Sequence, residues 1–469
     1  MRKKQTIVRQ AIIEDYAAEG KSIVRIDGKV IFVDGAVPGD KVDIQLTKSK
    51  KDWAEGRVIF FHELSGLRTD PFCTHFGVCG GCKWQMLPYT DQLKFKQREV
   101  EQNLKRIGRI QLPDIQPILG ADMTRRYRNK LEFTFSNKRY LSQEEFELKK
   151  GQPFEPALGY HIPKWFDKVI DINECHLQEE PSNQIRNVVR EIALENQFSF
   201  YDIRMHQGWL RNLIIRYATT GELMVNLCIG FRDDAALKIL FDGLRQKVPQ
   251  ISTLLFTINP KVNDSIHDLM PEVYDGKGYI IENLEDFQFK IGPKSFFQTN
   301  TRQGIKLYHV AREYAELTGD QTLYDLYCGT GSIGIFLSRQ AKKVIGVEVI
   351  SEAIEDAKEN ARLNQVKHAH FIAGDAAALC NEVFFSEYGK PDVIITDPPR
   401  AGMHEKLVQS ILAANAPTVV YVSCNSATQA RDLQLMDEKY MVTKVQPVDM
   451  FPHTHHIENV VQLKLRQQN

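Results

Sequence analysis

A chain of 469 residues exceeds what one hydrophobic core can organise and supplies material for about two to four domains. Hydrophobic content of 43% and charged content of 26% exclude a disordered chain, and no apolar run is long enough to cross a bilayer. Sixty basic residues balance sixty acidic ones, so only local clusters can point to nucleic acid. Met1-Arg-Lys-Lys leads into polar Gln5-Thr6 rather than an apolar signal core, and a cytoplasmic protein is expected. In that reducing compartment, grouped cysteines point to metal or catalysis rather than disulfides.

Residues 1–61 alternate short β-type runs with turns, punctuated by Gly28, Gly35, Gly39 and Gly56. Five strands, at 4–13, 22–26, 29–33, 41–46 and 53–61, predict a small barrel of the oligonucleotide-binding type. Its 48–51 loop, with Lys48, Lys50 and Lys51, would face phosphates. Next comes Cys73-Thr-His-Phe-Gly-Val-Cys79-Gly-Gly-Cys82, where two glycines let the backbone curl so that thiolates converge on one centre. A fourth ligand must come from elsewhere, and Cys175 is the candidate. Spacing leaves iron–sulfur and zinc both open.

Residues 90–107 predict an amphipathic helix with Leu93, Val100, Leu104 and Ile107 inward and Lys94, Lys96, Arg98, Lys105 and Arg106 around the rest. Ten basic residues against four acidic ones between 94 and 130 suggest a nucleic-acid footprint, in which Tyr127 offers a stacking face. Residues 131–290 read as mixed and mostly β, with a hairpin at 210–218 and 222–229 and a polar surface loop at 138–156. From 291 onward strands alternate with helices, the signature of a doubly wound parallel sheet, with an edge hairpin possible at the end.

Within that last part, Asp325-Leu-Tyr-Cys-Gly329-Thr-Gly331 is a glycine-rich turn between strand and helix. Glu348 ends the next strand, where it can accept bonds from ribose hydroxyls. Asp397-Pro-Pro-Arg400 ends a later strand in a turn that two prolines hold rigid. Cys424 follows the 419–422 run at a strand's carboxyl end, and the helix expected to start at Ser426 would favour its thiolate. Read alone, Cys424 is better taken as a small buried hydrophobe, which is what most cysteines are. His453, His455 and His456 invite a metal, but the chemistry below needs none there.

These motifs, with Gly292-Pro-Lys-Ser-Phe-Phe-Gln298-Thr-Asn300 and Phe451-Pro-His-Thr-His-His-Ile-Glu458, together resemble the RNA (uracil-5)-methyltransferase family. The likeness is greatest to the 23S ribosomal RNA branch, which joins a TRAM domain to a [4Fe-4S] cluster. The resemblance implies a TRAM barrel at 1–61, a central α+β iron–sulfur and RNA-binding domain at 62–290, and a Rossmann-like methyltransferase domain at 291–469. It implies S-adenosylmethionine contacts from Gln298, Tyr327, Glu348 and Asp397, a nucleophile at Cys424, a general base at Glu458, and cluster ligands Cys73, Cys79, Cys82 and Cys175. The expected activity is 5-methyluridine formation in 23S rRNA, with no membrane and no obligate protein partner. The T-loop uridine of tRNA, or a non-catalytic RNA-binding role on the same scaffold, are the alternatives.

Overall fold

A computed structural model describes residues 6–163 and 165–467. The expected first strand begins at Ile7, and its opening residues Lys4 and Gln5 lie outside the described ones.

Six strands between Ile7 and Glu63 form one sheet, in which the long Lys41–Ser49 and Trp53–Glu63 strands pair antiparallel. The two-residue strand Asp15–Tyr16 was not among the five expected, being too short to show a period. Ala11, Val24, Ile31, Val33, Val42, Ile44 and Ala54 alternate inward to make a small core. Lys48, Lys50 and Lys51 stay exposed, with the Lys48 ammonium 4.8 Å from the Trp53 ring centre.

The linker helix Tyr89–Asn103 differs from its expected amphipathic pattern. Gln92, Lys96 and Val100 are its buried positions, while Ile107 beyond it is exposed. Lys96 therefore leaves the expected basic footprint, because an acidic partner from the far end of the chain draws it inside.

The central sheet has seven strands, built around the Leu210–Tyr217 and Leu223–Ile229 hairpin. Helices Ser182–Glu195 and Asp234–Lys247 cover one face with Ile185, Val189, Leu240 and Phe241. The polar 138–156 stretch is exposed over most of its length and carries a short helix, Gln143–Leu148, closed by a Ser142–Glu145 capping box.

The C-terminal sheet is doubly wound. Five parallel strands run in the spatial order Ala369–Ala373, Lys343–Glu348, Thr322–Leu326, Val393–Thr396 and Thr418–Ser423. Chain direction then reverses. The last strand, Glu458–Leu465, inserts antiparallel between Thr418–Ser423 and Tyr440–Val448, so the final hairpin closes the sheet with its earlier arm outermost. Runs of four to six residues, mostly apolar and buried on both faces, explain why these strands read clearly in sequence. A further hairpin, Ile280–Leu284 with Phe287–Ile291, packs Leu284, Phe287 and Phe289 into the same core as Leu307, Leu323 and Phe336.

Candidate active site

All the motif residues of the C-terminal half lie on the carboxyl edge of the parallel strands, where open α/β sheets take their ligands. Thr322–Leu326 ends in Tyr327, which takes a left-handed φ of 63°, and the chain then turns through Gly329 and Gly331 into the helix Ser332–Leu337. Gly331 is needed twice over. Its φ is 76°, and a Cβ would meet the Phe371 ring at 2.9 Å and Ala357 at 3.1 Å.

Glu348 faces this loop: its carboxylate accepts from the N–H of Gly329 at 3.2 Å and from that of Ile350 at 3.0 Å. Asp325 is fully buried beneath the loop. One oxygen accepts from the Gly334 N–H at 2.8 Å, the other has no partner, and burial pushes its carboxyl up to about 7. The Gln298 segment joins the same edge, since the Thr330 hydroxyl donates to the Phe296 carbonyl at 3.4 Å. Gln298 itself is buried, and its carbonyl accepts from the Asn129 amide at 2.8 Å.

Pairing of strands brings the second group together. Thr396 sits beside both Leu326 and Tyr421, which places Asp397 at the centre of the edge. Ser423 pairs with Asn459 in the antiparallel ladder, so the next step along it sets Cys424 against Glu458. The electrostatics agree. Burial first, and then the neighbouring Glu458 and Asp397 carboxyls, raise the Cys424 thiol to about 12 against the pull of the Arg400 guanidinium. Burial likewise raises Asp397 to about 7 and Glu458 well above the usual carboxylate range, with Asp397 adding to the latter. Two carboxyls this close in a dry site cannot both ionise easily.

The expectation that a helix N-terminus would favour the Cys424 thiolate is therefore corrected. The helix does begin at Ser426, but the Asn425 side chain accepts from the Ala427 and Thr428 N–H groups at 3.0 and 3.4 Å and so occupies the terminus. With that end capped and two carboxyls beside the sulfur, the resting group is a thiol.

His453, His455 and His456 are all held below the usual imidazole range, chiefly by burial. Arg400 comes within 3.3 Å of a His456 ring nitrogen. Tyr127 is buried, with its hydroxyl donating to the Pro452 carbonyl at 3.0 Å, which corrects its reading as an open stacking face. Arg125 lies over the Phe72 ring at 3.8 Å, and Arg128 lies over both the Phe451 ring at 5.1 Å and the Tyr127 ring at 5.8 Å.

In the central part, Cys73, Cys79, Cys82 and Cys175 wall one cavity of about 30 Å³, together with His75, Tyr160 and Glu174. Cys175 arrives from the loop after the Trp165–Asp171 strand, and its N–H donates to Asn183 at 2.7 Å. Burial pushes the Cys79 thiol up to about 12, Cys82 to about 11, and Cys175 upward as well. Among the described residues, no three His, Cys, Asp or Glu side chains form a group that could hold a single metal ion.

Sequence reasoning quoted Asp325 and Arg400 inside motifs without giving either a role, and their electrostatic weight emerges only from burial. It missed Asp449 as well. This residue is fully buried, and it is held there chiefly by Lys96, 353 positions away, with the Tyr89 hydroxyl on its other oxygen.

Comparison with known proteins accords with this arrangement. Residues 273–466 match the family model tRNA (Uracil-5-)-methyltransferase, and residues 3–59 match the TRAM domain. An RNA methyltransferase of Bacteroides thetaiotaomicron is 54% identical, covering 96% of this chain and 100% of the relative. One from Porphyromonas gingivalis is 50% identical over 96% and 98%. The crystal structure of Pyrococcus abyssi tRNA (uracil-54, C5)-methyltransferase in complex with S-adenosyl-L-homocysteine superposes with a TM-score of 0.75. It shares 27% identity, and the match covers 97% of this chain and 100% of that one. Among the described residues no helix is long and apolar enough to cross a membrane. Motifs, sheet topology and relatives of nearly equal length agree that the chain belongs to the RNA (uracil-5-)-methyltransferase family.

Proposed function

We propose that this enzyme forms 5-methyluridine in 23S ribosomal RNA, with Cys424 as nucleophile and Glu458 as general base. The observation that carries the proposal is the ladder register that sets Cys424 against Glu458, with Asp397 on the neighbouring strand end.

Carbon 5 of uracil is a poor nucleophile, and addition of a thiolate at carbon 6 makes it enolate-like. Because the Cys424 thiol is raised to about 12, its proton needs a local acceptor as the sulfur attacks. Asp397 can take it, provided the positive charge of a bound cofactor keeps both carboxyls ionised beforehand, which leaves Glu458 free as the second base. Once carbon 5 carries the methyl group, Glu458 removes the proton from that carbon, the carbon–sulfur bond breaks, and the departing sulfur takes back the proton it lent to Asp397. A base with a raised pKa is suited to that step, being more basic than an exposed carboxylate. Arg400 partly offsets the negative charge that the sulfur carries.

The cofactor edge fits S-adenosylmethionine. Asp325 has an unpartnered buried oxygen, and Glu348 lies at the end of the adjacent strand. Gln298, Tyr327, Glu348 and Asp397 are proposed to hold the cofactor, which when bound supplies a methyl group on a sulfonium. Positive charge at that edge would lower the carboxyls around it. For the cavity among Cys73, Cys79, Cys82 and Cys175, the all-cysteine quartet fits a [4Fe-4S] cluster, which four thiolates would hold as a structural or redox centre. The exposed lysines at 48–51, with Arg125 and Arg128, are proposed to grip an RNA whose target base is turned out of its stack. The proposed division remains a TRAM barrel at 1–61, a central domain at 62–290 and a catalytic domain at 291–469, in the cytoplasm.

One observation favours a second substrate: the similarity in fold to the Pyrococcus abyssi tRNA enzyme. Mass-spectrometric mapping of 5-methyluridine in ribosomal and transfer RNA from cells lacking the protein separates the two. A 5-methyluridine missing from 23S rRNA is the expected result, and one missing only from tRNA transfers the assignment.

A further inference from the structure

Glu458 follows a nine-residue connection, 449–457, between the two arms of the final hairpin. A connection of that length ordinarily runs over the surface with its backbone in water. Here it is gripped from one side by a single stripe of the linker helix.

Tyr89, Gln92 and Lys96 are spaced three and four residues apart on that helix and so share a face. Lys96 and Asp449 are both fully buried, with Nζ 2.6 Å from the carboxylate. The Tyr89 hydroxyl donates to the other Asp449 oxygen at 2.7 Å, and Lys96 also donates to the Phe451 carbonyl at 3.1 Å. Gln92, fully buried, accepts from the His453 N–H at 2.8 Å and comes within 3.1 Å of His453 Nδ1. From beside Cys82, the Lys83 and Trp84 N–H groups both donate to the His453 carbonyl, at 2.8 and 3.1 Å. His453 is held at a φ of 63°, a left-handed conformation that a non-glycine residue keeps only when its surroundings impose it.

Stability alone does not account for this arrangement. A buried ion pair is often no better than an apolar pair of equal volume, because desolvation cancels much of the attraction. What the ion pair and Gln92 add is direction: Lys96 bonds the Asp449 carboxylate and the Phe451 carbonyl, and Gln92, whose amide N–H groups also donate to the Trp84 and Leu87 carbonyls, accepts from the His453 N–H of the segment leading to Glu458. None of these side chains is among the residues proposed to touch cofactor or base.

We propose that Tyr89, Gln92 and Lys96 are positioning residues that hold the 449–457 turn so that Glu458 reaches carbon 5 of the substrate once Cys424 has added. The inference rests on the roles proposed above for Cys424 and Glu458. Loss of the stripe should leave RNA and cofactor binding and adduct formation intact, and slow removal of the carbon 5 proton.

The test uses the full-length enzyme, S-adenosylmethionine, and total RNA from cells lacking the protein. Gln92→Leu and the charge-free double variant Lys96→Met/Asp449→Leu are compared with Glu458→Gln. Thermal melting confirms that each is folded, and the double variant avoids stranding one buried charge. The expected result is kcat lowered about tenfold or more, KM for RNA and cofactor within about twofold, and an enzyme–RNA adduct that survives denaturation and accumulates as it does in Glu458→Gln. Tyr89→Phe, which loses one hydrogen bond, should show the same signature more weakly. Unchanged kcat, or a fall in kcat with no adduct, overturns the positioning role if Glu458→Gln does accumulate adduct. If Glu458→Gln gives none, the base assignment itself fails, whatever the other variants do.

Discussion

Cys424 and the thiols of the central cavity share a displacement and differ in what surrounds them. Burial raises Cys424 and Cys79 alike to about 12 and Cys82 to about 11. Around Cys424, however, the other charges are two carboxyls and a guanidinium, groups able to take a proton or balance a charge. Around Cys79 and Cys82 they are mostly further thiols. A raised thiol therefore does not identify chemistry by itself. The first setting suits a sulfur that is charged only briefly; the second suits sulfurs that stay charged once a metal compensates them.

The largest expected effect breaks the first side of that comparison. Cys424→Ala should lower methyl transfer by at least about 10⁴-fold and abolish the covalent adduct with 5-fluorouracil RNA. Measurable turnover with adduct retained would remove Cys424 as nucleophile. Cys175→Ala should act on the other side. Anaerobically purified wild-type protein is expected to be brown, with about four irons per chain by metal analysis. The variant should lose the iron and be destabilised by about 4 kcal/mol, the scale expected for loss of a tightly bound ligand. A colourless zinc protein would replace the cluster with a mononuclear site.

How legible these two settings were in sequence follows from the range of the contacts that make them. The parallel strands, the glycine turn at 329–331 and the three cysteines at 73–82 are local signals, readable from period, spacing and residue type. The facing of Cys424 and Glu458 was not. It depends on the last strand inserting between two earlier ones, a pairing that no window of sequence contains. Local reading also erred in two instructive places. A helix start next to Cys424 suggested a favoured thiolate, but Asn425 takes up the terminal N–H groups and the carboxyls come from strand ends 27 residues before and 34 after. Helical periodicity put Lys96 with the solvated charges, whereas Asp449 holds it in the core.

The smallest expected effect concerns Asp325, a third buried acid on the same edge, whose carboxyl is raised from an ordinary 3.8 to about 7. Between those two values the folded chain binds a proton that the unfolded chain has released, so stability falls as pH rises. The contribution is fully present below about pH 4 and gone above about pH 7. Without cofactor, then, Asp325→Asn should leave melting at pH 4 nearly unchanged, since both side chains are neutral there. At pH 8 it should stabilise the protein by about 1–2 kcal/mol, less than the whole shift implies because the Gly334 N–H loses a charged acceptor. The same variant should bind S-adenosylmethionine more weakly, by isothermal titration, if the unpartnered Asp325 oxygen serves the cofactor edge. Stabilisation at pH 8 with unchanged binding would make Asp325 a buried acid without a ligand-directed role. The cofactor edge would then rest on Glu348, Gln298 and Asp397.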